Sequence, residues 1–104
     1  MTLVSDDTAD RYWDAIVVHA DDDVAVALRD IRCGDVARVR RQSTVRNMTV
    51  REAVPLGHKF ALHAIAAGAE IRKYGESIGA ATTAIAEGAH VHVHNMASRR
   101  ARPQ

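Results

Sequence analysis

One cysteine, two prolines, four aromatic residues and almost no net charge leave this 104-residue chain without several common means of stability or binding. Cys33 stands alone, so no disulfide can form within the chain and a reducing compartment is expected. Tyr12, Trp13, Phe60 and Tyr74 are too few and too scattered to build a stacking platform for bases or glycans. A formal net charge of +1 supplies no global field toward nucleic acid or a membrane surface. No run approaches the roughly 18 apolar residues needed to cross a bilayer. Asp6, Asp7 and Asp10 stand where a signal peptide would need an apolar core, so a soluble, cytoplasmic protein is expected. There is no P-loop, Rossmann glycine pattern, Cys-x-x-Cys or Ser–His–Asp layout.

What is present is small and aliphatic. Apolar residues make up 47% of the chain, and alanine (19) and valine (12) dominate them. Side chains of that size favour thin, closely packed layers. A single domain this short buries a modest share of its surface. It can fold, but it has little bulk with which to enclose a substrate, and neighbours would have to complete a site. The domain is read as residues 14–96, between a polar N-terminal extension (1–13) and a basic tail (97–104) that carries Arg99, Arg100 and Arg102.

Within the domain, apolar residues mark short strands. Ala15–Val18 is rich in β-branched residues, and Val36–Val39 and Val45–Val50 flank a polar turn at Gln42-Ser43, the pattern of a hairpin. His58–Leu62, Glu70–Tyr74, Ser77–Thr83 and His90–His94 are further strand candidates. Val24–Ile31, with Asp21-Asp22-Asp23 as N-caps, is the one candidate helix, although its Val-Ala-Val-Ala-Leu core also alternates. A short repeat recurs at Ile31-x-x-Gly34, Ile65-x-x-Gly68 and Ile85-x-x-Gly88. In each, isoleucine anchors a turn to the core, and glycine accepts the positive φ that ends it. The expected fold is a compact all-β domain of folded-over ribbons with one or two single-turn helices.

Three groups of residues could carry chemistry. In His90-Val91-His92-Val93-His94, strand alternation would place three imidazoles on one face and two valines on the other, close enough for two histidines to share a metal. A half-exposed strand with a histidine face is the plain alternative. His90, nearest the Gly88 turn, could serve only to close it. Gly57-His58-Lys59 follows Pro55, so a turn would present an acid–base group beside an anchor for a carboxylate. Lys73-Tyr74-Gly75 pairs another cation with a phenol at a strand end. Two solvated side chains explain each of the last two motifs equally simply. Arg38, Arg40, Arg41, Arg46 and Arg51 read as a solvated hairpin or a subunit contact. His19 and His63 are isolated, and each reads as an ordinary core or surface histidine.

Together, Val24–Leu28, Gly57-His58-Lys59-Phe60-Ala61-Leu62, Ile65–Gly68, Lys73-Tyr74-Gly75, Ile78-Gly79 and Gly88–Asn95 resemble the SAF domain of the altronate/galactarate dehydratase family. They are also similar to the small subunit of sulfolactate sulfo-lyase. The resemblance implies a β-clip fold and a larger catalytic partner subunit, in an oligomeric assembly. It further implies a β-elimination of water, or of sulfite, from a sugar acid. On that basis His58, His92 and His94 are the candidate catalytic residues, and Lys59, Lys73, Tyr74 and Asn95 the candidate substrate-binding ones. The resemblance also implies a divalent metal, Fe²⁺, held mainly by the large subunit, with His92 and His94 as candidate ligands on this chain. A non-catalytic SAF module that binds a sugar acid, and a stand-alone metal-binding protein, are the competing readings.

Overall fold

The computed structural model describes residues 13–98, so all of the N-terminal extension but Trp13, and the arginines of the tail, lie outside the described residues. Among the described residues nine short strands follow one another: β1 (Ala15–Val17), β2 (Val24–Ala27), β3 (Val36–Arg41), β4 (Thr44–Thr49), β5 (Lys59–Ala61), β6 (Glu70–Lys73), β7 (Glu76–Ala81), β8 (His90–Val91) and β9 (Met96–Ser98). They form a six-stranded sheet in the order β4-β3-β1-β2-β5-β8 and a three-stranded sheet in the order β6-β7-β9. Pairing is antiparallel except between β1 and β3. The fold is all-β and of the β-clip type, as expected.

Small apolar residues set the packing. Ala15, Val17, Ala25, Ala27, Ala37, Val39 and Phe60 belong to one buried cluster. Val24, Ala61, Ile65, Ile71, Ala81, Ile85 and Val91 form a second. Adjacent residues of β2 and of β5 fall in different clusters (Val24 and Ala25, Phe60 and Ala61), because successive side chains of a strand point to opposite faces. These two strands therefore divide the core in two.

The three repeats seen in the sequence are three of four copies of a single turn. At Arg32–Asp35, Pro55–His58, Ala66–Ala69 and Ala86–Ala89, the N–H of the last residue donates to the carbonyl of the first at 2.9–3.0 Å. The third residue of each is a glycine with φ between 83° and 92°. This is the arrangement of a type II turn, whose third position needs positive φ. The residue before each turn lies in an isolated bridge, Ile31 with Val54 and Ile65 with Ile85. The copy at Val54-Pro55-Leu56-Gly57 escaped the sequence pattern because valine replaces isoleucine there. It is the copy that delivers His58 and Lys59.

Two expectations are corrected. Among the described residues there is no helix, neither at Val24–Ile31 nor as a single turn elsewhere. Asp22 and Asp23 do not cap a helix; they accept N–H groups of Arg72, Tyr74 and Gly75 from the second sheet, and Val24–Ala27 runs as a central strand. The histidine strand is also shorter than expected. Pairing stops at Val91, and His92–Asn95 form a turn. Val91 is fully buried as expected, but Val93 is 79% exposed and lies on no inner face.

Candidate functional site

The site begins with the turn at Pro55–His58, which ends as β5 starts. Proline and Gly57 fix the backbone there, so His58 leaves the turn in a set direction. β5 pairs with β8 in a register that places Phe60 opposite His90 and Lys59 opposite Val91. The two histidines meet across this pair: His58 Nδ1 and His90 Nε2 are 2.9 Å apart and share a hydrogen.

The turn after β8 brings in His92. Asn95, buried at 6% exposure, closes that turn with both ends of its amide. Its Oδ1 accepts the His92 N–H at 2.9 Å, and its Nδ2 donates to the His90 carbonyl at 2.8 Å. The His92 ring then lies 4.3 Å from that of His58 and 5.3 Å from that of His90, centroid to centroid, with the planes stacked. His94, exposed, reaches the His90 ring at 5.4 Å. The histidines thus gather by ring stacking about a turn rather than by alternation along a strand.

Two further contacts fix β8. Glu52 accepts the His90 N–H at 2.8 Å, and the Gly88 carbonyl accepts the Arg51 N–H at 2.9 Å. Gly88 has no alternative, since a Cβ there would lie 2.5 Å from the Thr49 carbonyl oxygen.

Burial, followed by the charges of His58, His92 and His94, holds the His90 imidazole below its ordinary pKa, with Glu52 opposing. Desolvation and the charges of His58, Lys59 and His94 lower His92 in the same way. Both rings are therefore neutral near neutral pH, able to accept a proton or to donate a lone pair. Half-buried Lys59 is itself lowered, first by burial and then by the charge of Lys73. Two ammonium groups that repel each other beside neutral imidazoles make a receptive place for an anion.

Lys73 and Tyr74 come from the β6–β7 hairpin. The Lys73 ammonium lies 4.8 Å from the Tyr74 ring centroid, a cation–π contact, and Tyr74 is 53% exposed. The charge of Lys73 bears on Lys59 and that of Lys59 on His92, so the two lysines lie near the histidine cluster. Asn95 belongs to it as the clasp of the turn. His90, left open in the sequence, stands at its centre.

Two supporting residues were missed. Glu52 carried no signal in the sequence, and Asp22 lay hidden in an acidic run that looked like a helix cap. Of the isolated histidines, His63 Nε2 pairs with Asp23 at 2.9 Å and His19 packs beside Gly75. The arginine cluster is engaged locally: Arg40 lies over the Trp13 ring at 4.8 Å, and Arg46 pairs with Glu87 at 2.9 Å. An open concavity of about 760 Å³, lined by Cys33, Asn47, Thr49, Arg51 and Glu87 among others, includes none of the site histidines.

The family profile described as altronate/galactarate dehydratase SAF domain matches residues 13–99. The chain belongs to this family. Its relatives include the altronate dehydratase of Escherichia coli K12, 50% identical over 80 residues, and that of Bacillus subtilis 168, 40% identical over 80 residues. Each alignment covers 77% of this chain but 15% of the dehydratase, so the SAF chain corresponds to a small part of those proteins. The (2R)-sulfolactate sulfo-lyase subunit alpha of Chromohalobacter salexigens is 34% identical over 90 residues, which cover 84% of this chain and 96% of that subunit. No helix among the described residues is long and apolar enough to cross a membrane.

Proposed function

We propose that this chain is the small subunit of a cytoplasmic lyase that removes water by β-elimination from a sugar acid such as altronate or galactarate. A large catalytic subunit completes the site. The observation that carries this reading is the open cluster of stacked histidine rings beside two lysines, on a chain with too little bulk to enclose a substrate.

In this reaction a proton leaves the carbon beside a carboxylate, and hydroxide leaves the neighbouring carbon as water. Lys59 and Lys73 anchor the carboxylate, and the lowered pKa of Lys59 rises again once an anion sits beside it. His58, His92 and His94 hold or move the proton, and the Tyr74 hydroxyl bonds a substrate hydroxyl. Asn95 acts through the turn by placing His92. A divalent metal, iron by the family resemblance, would take imidazoles of this chain among its ligands and would supply Lewis acidity toward the leaving oxygen.

The test is reconstitution with a large subunit from the same host, assayed on a panel of aldonates and aldarates. Turnover should need both chains. His92→Ala and His94→Ala should each lower it by about 10²-fold, the scale of a positioned acid or base. Turnover by this chain alone at an ordinary enzymatic rate of about 10 s⁻¹ sinks the subunit reading.

A second reading, the small subunit of a sulfolactate-type sulfo-lyase, is favoured by the alignment that covers 96% of a subunit alpha. Release of sulfite rather than water separates the two. The same lysines would then bind a substrate that carries both a sulfonate and a carboxylate.

A further inference from the structure

We propose that His58, His90 and His92 form a three-imidazole site for a divalent transition-metal ion, bound by this chain without help from a partner. One ring nitrogen from each lies within 4.8 Å of the other two. The closest pair, His58 Nδ1 and His90 Nε2, is at 2.9 Å. An ion bound at about 2.0–2.1 Å from imidazole nitrogens sets them roughly 3–3.4 Å apart. The rings are stacked, so their lone pairs converge on an ion only after the rings turn out of the stack, and all three residues are partly exposed.

The backbone beneath the rings is already fixed. The Pro55–His58 turn sets His58, Glu52 holds the His90 N–H, and Asn95 holds the His92 N–H. Such support for the peptide positions favours ligation, because few degrees of freedom remain to be lost on binding. His94 contacts only the His90 ring of the trio and is exposed, so it lies outside the set. This differs from the assignment drawn from the sequence, which offered His92 and His94 and left most of the ligation to the large subunit.

The donor set also states what it selects. Three imidazoles without a carboxylate suit Zn²⁺, Fe²⁺, Co²⁺, Ni²⁺ or Cu²⁺ over Mg²⁺ and Ca²⁺, which prefer oxygen. Three protein ligands leave coordination positions open, as in catalytic rather than structural sites. Neutral ligands leave the ion's double charge uncompensated, and the charge of Lys59 is felt at His92. An anionic oxygen ligand is the natural occupant of an open position. With an ion bound, His58 and His92 serve the lyase reading as ligands and proton transfer falls to His94. The site rests on that reading for its purpose, while ion binding itself is measurable without turnover.

The experiment uses the full chain, stripped of metal and titrated at neutral pH with Co²⁺ by absorbance and with Zn²⁺ by calorimetry. One ion per chain is expected, undisturbed by excess Mg²⁺. His58→Gln, His90→Gln and His92→Gln should each weaken it by at least about tenfold, and His19→Ala and His63→Ala should leave it within about twofold. Ring-nitrogen NMR of the unaltered chain gives the same answer without any variant having to fold. Zn²⁺ should move the signals of His58, His90 and His92 and spare those of His19 and His63. Absence of binding at millimolar Co²⁺, or binding that survives all three glutamine changes together, overturns the site. That result would leave partner-dependent turnover intact, just as an inactive reconstituted complex would leave ion binding intact.

Discussion

The carboxylate of Asp22 accepts the N–H groups of Tyr74 and Gly75 at 2.9 and 2.8 Å, and that of His19 at 3.2 Å. Tyr74 has φ of 56° and Gly75 of 79°, so the hairpin tip that carries Lys73 and Tyr74 turns through two left-handed residues. Such a conformation is uncommon for a tyrosine, and the buried carboxylate offsets its cost. Asp22→Ala should destabilise the chain by roughly 3 kcal/mol, the loss of charge-assisted bonds together with N–H groups left unmet. Urea unfolding measures it, and a change under about 0.5 kcal/mol would mean that the tip holds itself. Lys59 makes the opposite case. Its folded pKa lies below 10.5, so the unfolded chain binds more protons between the two values, and stability rises with pH across that window. At neutral pH the whole penalty is present. Lys59→Met keeps the packing and should raise the melting temperature there, with the gain over wild type vanishing above pH 10.5. Lower stability of Lys59→Met at pH 7 would contradict the burial of this charge.

Among the elements, the histidine turn shows how far the sequence could be read. The run His90–Asn95 announced a site, and period-two alternation described β8 for its two residues. What ended the strand was Asn95, whose amide bonds the backbone at His90 and His92 and so replaces a ladder with a turn. That choice is made by one buried side chain three and five residues along the chain, and a reading of alternating faces passes over such side-chain-to-backbone bonds. The same holds for Val24–Ala27, where the acidic residues before it resemble caps until the β6–β7 hairpin arrives to use them. By contrast the β3–β4 hairpin was legible, since its turn and both strands are set by neighbours in sequence. The turn predicts a split between two valines that alternation would have treated alike. Val91→Ala should cost about 2 kcal/mol, from two buried carbons and the cavity they leave. Val93→Ala, at a surface position, should stay within about 0.5 kcal/mol. Chemical denaturation of both variants decides it, and equal losses would restore the strand.

At the scale of the whole molecule, Asp14 ties the first strand to two other parts of the larger sheet. Its carboxylate accepts the Arg38 N–H of β3 at 2.7 Å and the guanidinium of Arg29, beyond β2, at 2.7 Å. Its own backbone exchanges bonds with Arg38 and Leu28. The sequence placed Asp14 at the domain boundary and no more, because its partners lie 15 and 24 residues away. Burial alone would raise its pKa. The Arg38 N–H and the Arg29 guanidinium outweigh that and hold the carboxyl below its ordinary 3.8. A depressed carboxyl contributes stability that is fully present above the unfolded value and is lost as the folded chain takes up its proton. Asp14→Asn should therefore be less stable than wild type at neutral pH. The gap should stay level down to about pH 5 and close as the pH falls through and below 3.8. Melting curves of the two proteins from neutral to acid pH test this. A gap that persists unchanged into strong acid would assign Asp14 a packing role, with its charge contributing nothing to the joint between β1, β3 and the segment that follows β2.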